Sequence, residues 1–274
     1  MNEKIHRLRA KYRYSIILLR ELVVTDFKLR YQNSALGYLW SLLKPFSLFL
    51  IMYVVFVKIL NSGGELRHFG VYLLLGIVVW NYFTEVTNGS VASIVQKGDL
   101  LRKVNFPRYV IILAGSLSAL INLAFNGIIV GIFMMVDKTE VSSVAIFAPL
   151  LILELFIFAL AVAFLLSSLY IKFRDIGFIW EVGMQGAFFA TPIMYDFYKI
   201  SSTSPVVAKI LIVNPVAQIM QDLRYMFITP QTITINQVFK SEWARLIPIA
   251  IVLATSILAV LYFKKRSPYF AEEV

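Results

Sequence analysis

The sequence predicts an all-α polytopic membrane protein. Six transmembrane helices are expected, with an N-terminal amphipathic interfacial helix before the first and short re-entrant or interfacial outer helices between the fifth and sixth. Three observations carry this. The 274 residues are 59% hydrophobic and 15% charged, more apolar surface than a soluble domain of that size can hide. Apolar runs of about 20 residues recur along the chain, enough for a helix to cross a bilayer. Lys and Arg concentrate in alternate connections, the signature of cytoplasmic loops.

Six stretches qualify as spans: Leu36–Leu60, Phe69–Val91, Tyr109–Val136, Ala145–Leu169, Ile176–Met194 and Ala244–Phe263. The first contains Lys44-Pro45, which predicts a kink or a deep part that starts after Pro45. The fifth is marginal, because Glu181 and Gln185 lie inside it. An even count puts both termini on one side. Seventeen Lys and Arg fall on that side, among them Lys97, Arg102, Lys103, Arg108, Lys172 and Arg174; six fall on the other. Both termini are therefore expected in the cytoplasm. The N-terminus has too long a charged run to read as a cleavable signal.

From Tyr14 to Tyr31 the chain has no Pro or Gly, and Ile16, Leu19, Leu22, Val23, Val24, Phe27 and Leu29 alternate with Arg20, Glu21, Asp26, Lys28 and Arg30. Such a segment is too charged to span and fits a helix at the headgroup level. It is either an anchor for the first span or a guide for lipid headgroups, with Lys28 and Arg30 available to phosphate.

Two connections stand out. In the Ser93–Val110 loop, Gly98-Asp99 breaks one helix and offers an N-cap to the next, and Phe106-Pro107-Arg108 makes a stiff corner. The loop is either a docking element for a cytoplasmic partner or an ordinary basic loop. The Tyr195–Glu242 segment is long for a connection. Its Ala208–Ile228 part has apolar residues at helical spacing broken at Asn214-Pro215, read as two short helices in the outer leaflet or two half-spans of a re-entrant hairpin.

Few ionisable residues lie inside the spans. Lys58 and Glu85 sit near span ends, where a long side chain reaches water. Glu154 lies deep, as a structural partner or as a polar point on a pathway. Gly127 and Gly131 form a GxxxG that allows close helix approach, within the chain or to a second copy. Aromatics are plentiful: Tyr38, Trp40, Tyr53, Phe56, Trp80, Tyr82, Phe83, Tyr170 and Trp180. Most belong to interfacial belts, and a minority are candidates for stacking on sugar rings along a path.

The function classes narrow by exclusion. There are no cysteines and two histidines, so thiolate and histidine metal sites and cysteine nucleophiles are out. No GxxxxGK[ST] occurs, so the chain does not bind ATP through a P-loop. A net charge of +10 in such a chain marks headgroups and cytoplasmic loops, not nucleic acid. A membrane enzyme would need a clustered acid or histidine site, and the candidates, Asp175 beside Arg174 and Asp26 near Arg30, look like ion-paired loop residues. A secondary transporter would want buried ion-binding carboxylates, which are scarce.

The stretch DFKLRYQNSALGYLWSLLKPFSLFLIMYVVF resembles the N-terminal signature of ABC-2-type permeases that export lipid-linked polysaccharides and polyol-phosphate polymers. KVNFPRYV, YIKFRDIGFIWEV, TPIMYD and NPVAQIMQDLR continue the likeness in order across nearly the whole chain. The resemblance implies a single ABC-2 transmembrane domain over 1–274: a cytoplasmic segment with a gate helix at 1–33, a six-helix membrane part at 34–263 and a cytoplasmic tail at 264–274. It implies a non-enzymatic permease of the bacterial cytoplasmic membrane. Two copies would pair with two copies of a separate ATPase that binds ATP and Mg. The cargo would be an undecaprenyl-diphosphate-linked polymer, wall teichoic acid ahead of O-antigen; a permease for drugs or small lipids is the neighbouring reading. Lys28, Arg30 and Tyr31 would form the lipid-diphosphate entry. Ser93, Gln96, Lys97, Asp99, Leu100, Leu101 and Lys103 would form the coupling helix. Tyr195, Asn214, Pro215, Asp222 and Arg224 would belong to the outer gate, and Tyr38, Trp40, Tyr53, Phe56, Trp80, Tyr82 and Phe83 to the channel. Glu154 departs from the plain apolar residue expected at its place.

Overall fold

The computed structural model describes residues 15–26, 28, 37–59, 68–103 and 106–270, and among them every regular element is helical. Residues 15–26 form the lead-in helix. The rest are α1 (Trp40–Tyr53), α2 (Phe69–Val91), α3 (Ser93–Gln96), α4 (Gly98–Lys103), α5 (Tyr109–Asp137), α6 (Ala148–Lys172), α7 (Ile176–Ala190), α8 (Phe197–Thr203), α9 (Pro205–Ile212), α10 (Pro215–Phe227), α11 (Ile235–Phe239) and α12 (Leu246–Arg266), with short 3-10 turns between some of them.

Among the described residues, four helices are long and apolar enough to cross a membrane: α2, α5, α6 with its leading 3-10 turn, and α12 with its flanking turns. The pair α9 and α10 passes together but is bent by 98°, as a broken span or a re-entrant hairpin. The first and fifth expected spans are shorter apolar helices, so the count is four or five where six were expected. The fifth stops for a clear reason. Pro192 disfavours helical backbone at the residue before it, and Thr191 is extended at φ −92° and ψ 137°. The 15 residues of α7 then reach about 22 Å, short of a ~30 Å hydrocarbon core. In the first, α-helix runs through Pro45, and the irregularity comes later, in a π-helical turn at Val54–Ile59.

Helix α2 is the centre of the bundle. Its membrane-length window is 78% buried, against 22% for α5 and for α12, and it packs on α1, α5, α6, α7 and α10. It is apolar on most sides, as a helix with neighbours all round must be. His68, just before α2, pairs with Asp137 at the end of α5 at 2.9 Å, so the two helices run antiparallel. α6 packs along α12 as well.

The connection after α7 folds into short helices broken at Asn214-Pro215, as the sequence predicts. Asn214 caps α10 by accepting from the Val216 N–H at 3.1 Å, and Pro215 takes the first helical position, where its missing N–H costs nothing. Every residue from Pro215 to Arg224 is buried, the enclosure that polar backbone at membrane depth requires. Phe197, Ala208, Ile212, Ile235 and Ala244 form a second small core that joins α8, α9 and α11.

Candidate functional site

Three polar centres interrupt this apolar bundle. The first joins the lead-in helix to the Ser93–Val110 loop. Lys97 Nζ donates to both carboxylate oxygens of Asp26 at 2.9 Å, across 71 residues of sequence. Leu18, Leu19 and Leu22 pack on Phe106, Val110 and Ile111 at the start of α5. The apolar stripe of the lead-in helix therefore faces protein. Its other side, Ile16, Ile17, Arg20, Glu21, Val24 and Lys28, is exposed.

Around this junction the expected coupling residues are spread over two short helices. Ser93 donates from Oγ to the Ser90 carbonyl at 2.8 Å. Gln96, Asp99 and Lys103 are exposed, while Leu100 and Leu101 fall on α4. Of the expected lipid-diphosphate entry, Lys28 is exposed, and Arg30 and Tyr31 lie outside the described residues. A cavity of about 340 Å³ opens beside the ion pair, lined in part by Asp26, Ser90, Lys97 and Ser116.

The second centre is a cleft of about 900 Å³ between α1, α2 and α5. It shares Glu85 and Gly89 with the first cavity. Asn81, Thr84, Glu85 and Asn88 line it from α2 at i, i+3, i+4 and i+7, one face of a helix. Asn122 and Asn126 line it from α5, one turn apart. Trp40, Ser41, Lys44 and Ser47 line it from α1. Asn122 donates to Glu85 Oε1 at 2.8 Å. Pro45 has no N–H to give the Ser41 carbonyl four residues back, and Asn126 Nδ2 approaches that carbonyl at 3.4 Å while donating to the Asn122 carbonyl at 2.8 Å.

Of the expected channel aromatics, Trp40 lines this cleft. Trp80, Tyr82 and Phe83 are buried inside the bundle, with Trp80 against Phe188 and Phe83 stacked on Phe158. Tyr53 and Phe56 are partly buried against the same core, and Tyr38 falls in the 3-10 turn before α1.

The third centre is Arg224, which is fully buried. Its Nε and Nη2 donate to the Tyr72 carbonyl at 3.1 and 2.9 Å, and Nη2 also reaches the Ile193 carbonyl at 2.9 Å. Nη1 donates to the Pro192 carbonyl and to Gln221 Oε1. The guanidinium lies 3.4 Å from the centre of the Tyr72 ring. The break at Thr191-Pro192 leaves carbonyls without helical partners, and one forked side chain satisfies them. Gly76 makes room: a Cβ there would overlap Arg224 Nη2.

Asp222, also fully buried, accepts from Gln218 at 2.7 Å and pairs with Arg245 at 3.2 Å. Glu154, deep in α6, keeps its Oε1 without a hydrogen-bond partner among the described residues. Tyr195 donates to the Phe189 carbonyl at 3.2 Å. Burial pushes its phenol up to about 12, Tyr72 adds to the rise and Arg224 opposes it. The expected outer-gate residues thus gather around one end of the bundle, and Asn214 and Pro215 act there as a helix start.

Sequence reasoning missed the α2 and α5 stripe. It weighed charged residues inside spans, and four polar residues at i, i+3, i+4 and i+7 in an apolar helix were the available signal.

Residues 17–228 match the family described as ABC-2 type transporter. An O-antigen export system permease protein, RfbA, of Klebsiella pneumoniae is 25% identical over 97% of this chain and 98% of its own length. RfbA of Myxococcus xanthus is 28% identical over 81% of this chain and 84% of its own. The polysialic acid transport protein KpsM of Escherichia coli is 28% identical over 31% of this chain and 33% of its own. With the family match running from the lead-in helix to the end of α10, this chain belongs to the ABC-2 type transporter family of membrane permeases.

Proposed function

We propose that the chain is the permease subunit of an ABC exporter that moves an undecaprenyl-diphosphate-linked polysaccharide across the bacterial cytoplasmic membrane. Two copies would work with two copies of a separate cytoplasmic ATPase, which binds ATP and Mg. The relatives are named for O-antigen export or polysialic acid transport, so a polysaccharide replaces wall teichoic acid as the favoured cargo.

The observation that carries the reading is the Asp26–Lys97 ion pair. It ties the helix that resembles the family's gate to the loop that resembles its ATPase-coupling element. A push on Lys97 from a docked ATPase then moves the lead-in helix, and with it Lys28 and Arg30, which would meet the lipid diphosphate. Both termini and this loop would lie in the cytoplasm, as the Lys and Arg bias requires.

A second copy is supported by α7. Glu181 and Gln185 are one turn apart on its exposed side, beside Gly183 and Gly186, where a Cβ would meet nothing within 4 Å among the described residues. Polar groups at membrane depth need polar company, and a partner protomer supplies it. On this reading α1 with its π turn and the short α7 complete six spans, and α9–α10 form the outer gate.

Deleting the gene tests the proposal. The expected result is loss of surface polysaccharide, with the lipid-linked polymer accumulating on the cytoplasmic face and export restored by the intact gene. Unchanged surface polysaccharide would refute it.

A further inference from the structure

We propose that the cleft between α1, α2 and α5 is a binding subsite for an uncharged, hydroxyl-rich glycan segment. The inference rests on the exporter reading above and adds where, and by what chemistry, the chain would grip its cargo.

The cleft lies along the central helix, at a depth where side-chain amides facing lipid are costly. Three helices nevertheless turn polar faces toward one space. Its amides donate and accept at once, and a sugar hydroxyl does the same. Asn122, which lines the cleft, is 5% exposed, and its enclosed Oδ1 has no hydrogen-bond partner among the described residues. Thr84 Oγ1 is likewise buried and unpartnered. Such groups are destabilising until something polar reaches them.

Charge then selects among glycans. The described lining has one cation, Lys44, and one carboxylate, Glu85. A polyanion would meet a described lining with no surplus of cations to draw it in, whereas a neutral sugar meets matched hydrogen bonds. Trp40, 48% exposed at the rim, offers a flat apolar face to a ring. The volume, about 900 Å³, is at the upper end for small-molecule sites and suits a run of rings.

The chain has no cysteine, so a single introduced thiol reports the cleft directly. Asn81→Cys and the milder Ser47→Cys would be labelled in native membranes by a water-soluble maleimide. Ile121→Cys, on the exposed side of α5, is the lipid-facing control. Both cleft thiols should react well above the control. Maltohexaose should slow them about tenfold at ten times its Kd, while a sialic acid hexamer does not. The proposal is overturned if the cleft thiols are as inert as the control, because lipid or a second copy then fills the space. It is also overturned if maltohexaose gives no protection, or if the anionic hexamer protects better. Surface polysaccharide in the deletion strain separates the two ideas. Lost export with unprotected thiols sinks the subsite alone, and protection with normal export in that strain sinks the exporter reading on which the subsite depends.

Discussion

Lys97 Nζ lies 2.9 Å from each carboxylate oxygen of Asp26, and this contact holds the lead-in helix on the Ser93–Val110 loop. The two side chains are 26% and 21% exposed, so water and salt screen them less than a surface pair. Leu18, Leu19 and Leu22 add an apolar seam beside it. A displacement of the loop is therefore passed to the lead-in helix through a short, bidentate link.

Breaking that link should lower transport per ATP hydrolysed. Asp26→Ala and Lys97→Ala each remove about 1 kcal/mol of coupling between the two elements. The swap Asp26→Lys with Lys97→Asp should recover most of the loss. Polymer movement and phosphate release, measured together in proteoliposomes, check this, and failure of the swap to recover either quantity would count against the pair.

Replacing Lys97, Asp99 and Leu101 together should separate ATP hydrolysis from transport and leave the chain folded. Asp99 is exposed on α4, available to a partner surface. Comparable ATPase rates with normal polymer export in the triple variant would dismiss α3–α4 as the docking element.

Arg224→Met should destabilise strongly. It orphans the carbonyls of Tyr72, Pro192 and Ile193, at about 1–3 kcal/mol for each buried acceptor left unmade. Arg224→Lys should rescue little, because an ammonium cannot fork to several acceptors in a plane. Thermal unfolding in detergent reads both, and a melting curve unchanged in Arg224→Met would remove Arg224 as the tie between α2, α10 and the Pro192 break.

Gly76→Ala should cost about 1–3 kcal/mol, as overpacking does in a filled core. The new methyl meets Arg224 Nη2 and the Ile193 carbonyl, the latter at 3.2 Å. Combined with Arg224→Ala, the two losses should be less than additive, because the clash disappears with the guanidinium. Simple additivity would place the strain elsewhere.

The long apolar helices could be read from the sequence because length and hydropathy alone decide them; α2 begins and ends where the apolar run does. The break at Asn214-Pro215 was equally plain, since Pro and an Asn cap act locally. The end of α7 was misplaced at Met194 because the apolar run continues past Pro192, and backbone restriction overrides hydropathy there. The partner of Asp26 was out of reach, because Lys97 is brought to it by the packing of two distant elements. Gly127 and Gly131 stayed ambiguous for the same reason: among the described residues nothing lies within 4 Å of a Cβ at either one.

The most direct test of the account is purification of the tagged chain from its native membrane in mild detergent, with mass spectrometry of everything that accompanies it. The account predicts a P-loop ATPase in equal amount and a lipid diphosphate bearing sugar. A lone oligomer of this chain, with neither ATPase nor glycolipid, would contradict it.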